Sequence, residues 1–293
     1  MKILITGWTG FIGNNIYKSL LNNNKVDTLS RNKNSTIQVD LINQIPNINY
    51  YDLIIHCSGN AHKFENKKVE YINSINYKLN VLGTDNLVKG IKTFPKYFLL
   101  ISSVSVYGLT HGDYVDESYP LKSIDNYSKS KIEEEKIVID WCNKNDVLCT
   151  IFRLPLVYGK DAPGNIAKMR FAIRWNLLFQ IGNGTAKKSI VYINDVSSII
   201  LDAIQHGGIF NLTDRYHPSV NEFNKFMIKK YLGGRIKIIP KQFAYLISRY
   251  FNFKPFNILI NPTTFSKLTN NLTFDDSKAV QKFKWNPKKI IEL

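Results

Sequence analysis

Acidic residues are in short supply in this chain: 23 Asp and Glu stand against 39 Lys and Arg, a formal net charge of +16 over 293 residues. Cysteine is scarcer still, at three (Cys57, Cys142 and Cys149). An odd number without metal-ligand spacing argues against a disulfide framework or a thiolate zinc site and fits reduced core side chains in a cytosolic protein. No apolar run reaches the length of a membrane span. Met1 leads at once into a strand-like run, so no secretory leader is expected and the expected location is cytoplasmic. The positive charge invites a nucleic-acid reading, but zinc-ligand sets, basic heptad regions and RNA-recognition aromatics are all missing and the lysines are scattered, so no nucleic-acid partner is expected. A solvated basic surface explains the charge, and its field would favour an anionic substrate. The cluster of Lys229, Lys230, Arg235, Lys237 and Lys241 raises association with an anionic membrane surface as a weaker alternative.

What is present is an ordinary globular composition, 44% hydrophobic and 21% charged, long enough to bury a full α/β core. Strand-like runs at Lys2–Thr6, Val26–Ser30, Leu53–Cys57, Phe98–Ser102 and Thr150–Arg153 alternate with helical patterns at Phe11–Leu21, Val69–Thr93 and Tyr127–Asn143. That alternation predicts an α/β fold, a doubly wound parallel sheet of Rossmann type with its ligand at the carboxyl ends of the strands. After Tyr158 the alternation weakens, and a smaller mixed C-terminal region capping the substrate is expected. The division reads as residues 1–157 plus about 186–212 for the dinucleotide-binding part, and about 158–185 plus 213–293 for the substrate part.

The first run ends in glycines at positions 7, 10 and 13, just where a helix begins. Strand, glycine turn and helix N-terminus together make an anion site, because free backbone N–H groups and the helix dipole point at a phosphate. Gly7 suits the tight turn, Gly10 lets the backbone approach a pyrophosphate, and Gly13 lets helix and strand pack closely. Far along the chain, Tyr127 and Lys131 stand at i and i+4 on one helical face, downstream of the serine-rich strand end Ser102-Ser103-Val104-Ser105-Val106-Tyr107-Gly108.

These motifs, with Asn80–Leu87, Arg153–Gly159, Lys188–Asp195, Phe274–Ala279 and Lys284–Pro287 in the same order, resemble the extended short-chain dehydrogenase/reductase family. The likeness is to its NAD-dependent epimerase/dehydratase type, whose members act mainly on nucleotide-linked sugars. It implies a catalytic set of Ser103, Tyr127 and Lys131, with Ser102 or Ser105 in place of Ser103 if the register differs. Tyr127 would be the general acid, Lys131 would lower its pKa and hold the nicotinamide ribose, and Ser103 would bind the sugar oxygen at the reacting carbon. The family's dehydratases carry Asp-Glu after the hydroxyl residue; Val104-Ser105 stands there instead, which argues against water elimination.

Cofactor residues implied by the resemblance are Gly7, Thr9, Gly10, Phe11, Ile12, Gly13, Ser30, Arg31, Asp40, Leu41, Ser58, Asn80, Tyr127, Lys131 and Pro155. The second strand ends Leu29-Ser30-Arg31-Asn32-Lys33 without a terminal carboxylate, so NADP(H), whose 2′-phosphate Arg31 would take with Ser30 and Lys33 assisting, is favoured over NAD(H). Asp27 is the rival ribose ligand but lies early in the strand. Ser103, Ser105, Tyr127, Asn165 and Lys188 are the implied substrate contacts; Lys188 stands where the family offers an arginine to a phosphate, and Arg235 is a substitute for it. His56 and His62 are read as ordinary histidines, and no metal is expected. The reading is a reductase of a UDP- or dTDP-4-keto-6-deoxy sugar for surface polysaccharide synthesis, with a UDP-sugar 4-epimerase holding NAD tightly as the alternative and a non-catalytic dinucleotide sensor third. The resemblance also implies a homodimer through Val69–Thr93 and Tyr127–Asn143.

Overall fold

Ile3 and Ile5 point to one face of strand β1 (Lys2–Thr6), Leu4 points to the other, and all three are fully buried. A strand buried on both faces belongs in the middle of a parallel sheet covered by helices on either side, and that is where the computed structural model places it. The structure describes residues 1–59, 69–231, 233–250 and 262–292. Further strands follow as β2 (Lys25–Ser30), β3 (Ile37–Gln38), β4 (Leu53–His56), β5 (Tyr97–Ser103), β6 (Gly112–Val115), β7 (Leu148–Leu154), β8 (Leu156–Tyr158), β9 (Phe179–Ile181), β10 (Ile190–Tyr192), β11 (Gly208–Asn211), β12 (Lys237–Ile239) and β13 (Leu272–Phe274). The helices used below are α1 (Phe11–Leu20), α2 (Gly83–Lys89), α3 (Asn126–Lys144), α4 (Gly164–Arg174), α5 (Ile193–Ser198), α6 (Ile200–Ala203), α7 (Val220–Lys230) and α8 (Lys241–Tyr250).

Seven strands form the main sheet in the order β11-β7-β5-β4-β1-β2-β3, every neighbouring pair parallel. One face carries Ile3, Ile5, Leu99 and Phe152 and is closed by α1, α5 and α6 through Ile16, Leu20, Val196 and Ile200. The other carries Leu4, Phe98 and Ile151 and is closed by α2 and α3 through Leu87, Val138 and Cys142. The chain leaves β1 for β2 and β3 on one side, then crosses to β4 on the other. The crevice between the ends of β1 and β4 is therefore the switch point where such sheets bind ligands.

The expected strands are present with ends moved by a residue or two, and the sheet gains β3 and β11 at its edges. The expected helix over 69–93 is not continuous. A short tight turn at Tyr71–Asn73 is followed by a wider, π-helical stretch at Tyr77–Leu82 and then by α2. Outside the main sheet the structure adds three two-stranded parallel pairs, β8 with β10, β9 with β12 and β6 with β13, two of which join a strand beyond Tyr158 to an earlier one. Helices α4 and α7 share a separate core there around Tyr158, Ile166, Phe223 and Met227. Among the described residues no helix is long and apolar enough to cross a membrane.

Candidate active site

The turn after β1 is shaped by contacts that leave no room for side chains. Gly7 adopts φ +66°, and a Cβ there would lie 2.7 Å from the backbone of Cys57 and Ser58 at the end of β4. A Cβ on Gly13 would lie 2.4 Å from the Gly7 carbonyl oxygen, so α1 packs against the turn it follows. Gly10 caps α1 without a side-chain bond, and no acidic residue occupies the first turn. The opening N–H groups of α1 thus keep their capacity to bind an anion.

A groove of about 290 Å³ opens from this turn. Gly7, Thr9 and Gly10 line its middle, Ser58 and Cys57 its inner wall, and Asp40 and Leu41 its outer wall beside Ser30 and Arg31. Lys33 is exposed and does not line it. The Ser30 hydroxyl shapes the loop, accepting from the Asn32 N–H at 3.0 Å and lying 2.6 Å from the Ser35 hydroxyl. Asp27 is turned away: its carboxylate accepts from the Tyr51 phenol at 3.0 Å.

Helix α3 is tied to the groove wall through Asn80, which lies against Gly59 and donates to Ser130. Its start is fixed by a reciprocal cap, with the Asp125 carboxylate accepting from the Ser128 N–H at 2.7 Å and the Ser128 hydroxyl accepting from the Asp125 N–H at 3.1 Å. Tyr127 and Lys131 follow one turn apart, and the Ser103 hydroxyl at the end of β5 lies near enough to the Tyr127 phenol to favour its ionised form. Lys131 Nζ donates to the Ile101 carbonyl at 2.8 Å and is ion-paired with Glu134. Its charge reaches the Cys57 thiol and the His56 ring, which joins the three residues to the groove wall. Burial pushes the Tyr127 phenol above its ordinary value; Lys131 and the Ser103 hydroxyl pull it back down, and Glu134 opposes them. Lys131 acts on the phenol in the expected direction, while desolvation outweighs a lysine whose charge is shared with a carboxylate.

The NAD dependent epimerase/dehydratase family model matches residues 3–213, which hold the glycine turn, the groove and all three of these side chains. The chain belongs to that family. Among curated relatives, it is 29% identical over 244 residues to the UDP-glucose 4-epimerase of Vibrio cholerae, covering 75% of this chain and 73% of the relative. It is 24% identical over 208 residues to the GDP-6-deoxy-D-talose 4-dehydrogenase of Aggregatibacter actinomycetemcomitans, covering 68% and 69%. In fold it is similar to the human epimerase family protein SDR39U1, solved with NADPH, at a TM-score of 0.75 and 17% identity over 96% of this chain and 93% of that one.

In this epimerase/dehydratase chain a buried polar array behind Lys131 went unseen in the sequence. His56 sits between the hydroxyls of Thr6, at 2.7 Å, and Thr84, at 2.8 Å, with Glu134 at 3.5 Å. Burial, helped by the Lys131 charge, pushes the His56 imidazole down to about 3, so it is neutral. Burial raises Glu134 to about 7 against the opposing pull of Lys131. A carboxylate three residues after the YxxxK lysine was the available signal, since i and i+3 share a helical face. Asn80 lies inside the π-helical stretch and donates to the Ser130 hydroxyl at 2.8 Å, tying that bend to α3. A Cβ on Gly59 would come within 3.0 Å of the Asn80 amide oxygen.

A second buried pair braces the far side of α3. Glu135 takes both Arg153 Nε and Nη2, at 3.1 and 2.7 Å, while Arg153 Nη1 donates to the Tyr107 phenol at 3.1 Å. The remaining sequence candidates are spread out. Phe11 packs beside Gly159, Ile12 packs on the core, and Pro155 follows β7 at its carboxyl end. The Ser105 hydroxyl is buried without a hydrogen-bond partner among the described residues. Asn165 is exposed in the first turn of α4. Lys188 Nζ donates to the Asn270 carbonyl at 2.6 Å, and burial with Lys267 nearby lowers it to about 8. Arg235 stands apart from Lys188, its N–H bonded to the Asn176 side chain at 2.9 Å. The three cysteines are unpaired. His62 lies outside the described residues.

Proposed function

We propose that the chain is an NADP(H)-dependent nucleotide-sugar oxidoreductase that reduces the 4-keto group of a UDP- or dTDP-4-keto-6-deoxy sugar, in the service of surface polysaccharide synthesis. The observation that carries it is the pairing of a Ser103–Tyr127–Lys131 set with a groove end built by Ser30 and Arg31, from which Asp27 is turned away. Arg31 offers a planar fork to a 2′-phosphate, and the strand that leads into it ends at Ser30 without a terminal carboxylate, Asp40 being the carboxylate that shares the groove. The glycine turn fits a dinucleotide: Gly7 and Gly13 let β1, the end of β4 and α1 pack backbone to backbone, and the groove-lining Gly10 opens the uncapped α1 N-terminus to a pyrophosphate.

Reduced nicotinamide, when bound, supplies the hydride. Tyr127 gives its phenolic proton to the oxygen that becomes the C4 hydroxyl, and Ser103 holds that oxygen in line. Lys131 steadies the phenolate left behind. Val104-Ser105 offers neither the acid nor the base that elimination of water requires. A second reading, 4-epimerisation with retained NAD, uses the same three residues and is favoured by the likeness to the Vibrio cholerae 4-epimerase.

The experiment mixes purified protein with NADPH and UDP-4-keto-6-deoxy-N-acetylhexosamine and follows the loss of reduced-nicotinamide absorbance. Stoichiometric loss with a new 4-hydroxy sugar supports the reductase. No loss, with NAD released on denaturation, transfers the assignment to the epimerase.

A further inference from the structure

Helix α8 buries small residues and leaves large apolar ones exposed, with its Tyr245 ring set against Phe265 at 5.7 Å between centroids. Ala244 is fully buried and Ser248 is 4% exposed, one turn apart, whereas Phe243 and Leu246 are 59% and 48% exposed. A surface helix of a globular domain ordinarily does the reverse, burying its large apolar stripe and showing water its small and polar residues. The inversion continues on the adjoining strands. Ile238 of β12 is 62% exposed, and the β9 strand it pairs with joins α8 where Gly182 faces the Lys241 stem. On α4, Phe171 and Trp175 are each 61% exposed with ring centroids 6.2 Å apart.

The same face is basic. Between α4 and residues 233–235 lies a cavity of about 810 Å³ lined by Arg170, Arg174 and Arg235, with no carboxylate among the described residues that line it. Lys237 Nζ stands 5.9 Å from the Phe179 ring centroid, and Arg249 donates to the Tyr245 phenol at 2.9 Å. Hydrogen bonds from Arg235 N–H to Asn176 and from Lys237 N–H to the Leu178 carbonyl hold the arginine-lined cavity next to β12 and its exposed Ile238, and Gly182 at the end of the paired strand meets the start of α8.

We propose that this face docks on the surface of an anionic phospholipid bilayer, with Phe243, Leu246 and Ile238 entering the interface and the three arginines on the headgroup phosphates. Charge selects this occupant. A second copy of the chain would set arginine against arginine, whereas a bilayer interface takes aromatic and aliphatic side chains and pairs their basic neighbours with anionic lipid. The inference does not depend on which reaction the chain performs.

The test is cosedimentation of the full chain with sucrose-loaded vesicles, either phosphatidylcholine alone or equimolar phosphatidylcholine and phosphatidylglycerol. Binding to the anionic vesicles only, weakened by salt, is expected. Phe243→Ser with Leu246→Ser should weaken it by roughly tenfold or more, and Arg174→Gln by roughly fivefold, with circular dichroism unchanged. As a second readout free of the α8 variants, Trp175 emission should shift to the blue on anionic vesicles, and Trp175→Phe should abolish the shift. Absence of binding to anionic vesicles overturns the proposal, as does binding indifferent to these substitutions. If the serine variant instead converts a dimer to a monomer while neither form binds vesicles, the face is a subunit interface and the proposal fails.

Discussion

Lys131 and Glu134, one turn apart on α3, form an ion pair almost wholly out of water, with side-chain exposures of 6% and 0%. Burial works against the lysine's charge, but Glu134, Tyr127 and Glu135 outweigh it and raise its pKa, so Lys131 stays protonated. Glu134 therefore sets how much of that positive charge Tyr127 feels, and its own negative charge raises the phenol directly. Removing it has a definite sign. In Glu134→Gln the Tyr127 pKa falls, and a general acid must carry its proton, so the alkaline decline of the reduction should begin at lower pH than in the unmodified protein. The check is the pH profile of kcat; an unmoved profile means the pair has no electrostatic hold on the phenol.

Tyr127 is the proton donor in both readings of the reaction. Tyr127→Phe should lower kcat by roughly a hundredfold or more while the affinity for the dinucleotide, measured by nicotinamide fluorescence, changes little. Full activity in this variant would remove Tyr127 from the mechanism.

Arg31 faces the outer end of the groove, where a 2′-phosphate would sit. Loss of a charge-assisted bond predicts that Arg31→Ala weakens NADPH binding by roughly tenfold or more and leaves NADH nearly unchanged. Calorimetric titration with the two cofactors separates the outcomes, and equal weakening of both would return the choice to NAD(H).

Glu135 and Arg153 are each 2% exposed. Glu135→Ala strands a guanidinium in the core, and breaking one partner of such a pair costs about 3–5 kcal/mol. A drop in Tm on the order of 10 °C is expected, read by differential scanning calorimetry. Replacing the pair jointly by Met should recover most of the loss, because no lone buried charge remains.

Strand β1 shows why the sheet was legible in the sequence. A fully buried parallel strand is a short continuous apolar run whatever its partners are, and Lys2–Thr6 announces itself alone. The broken helix before α2 shows the converse. Its helical pattern continues through Tyr77–Leu82, and the π-helical widening is set by distant partners, Asn80 on Ser130 and Thr84 beside His56. In the site, Gly7, Gly10 and Gly13, and the i, i+4 pair of Tyr127 and Lys131, were readable because their geometry is local. The polar array of Thr6, His56, Thr84 and Glu134 was not, because it joins four segments whose spacing has no period.

By itself the sequence determined the parallel sheet, the anion-binding turn and the face shared by Tyr127 and Lys131, since strand and helix periodicities and glycine's freedom at φ +66° act within a few residues. Only the tertiary structure decided that Asp27 turns to Tyr51 rather than to the groove, that Glu134 shares the charge of Lys131, and that α8 buries Ala244 and leaves Phe243 and Leu246 exposed. Those outcomes are competitions between burial, charge and hydrogen bonding among residues far apart in the chain. They are settled only when the packed sheet fixes which groups lose their water.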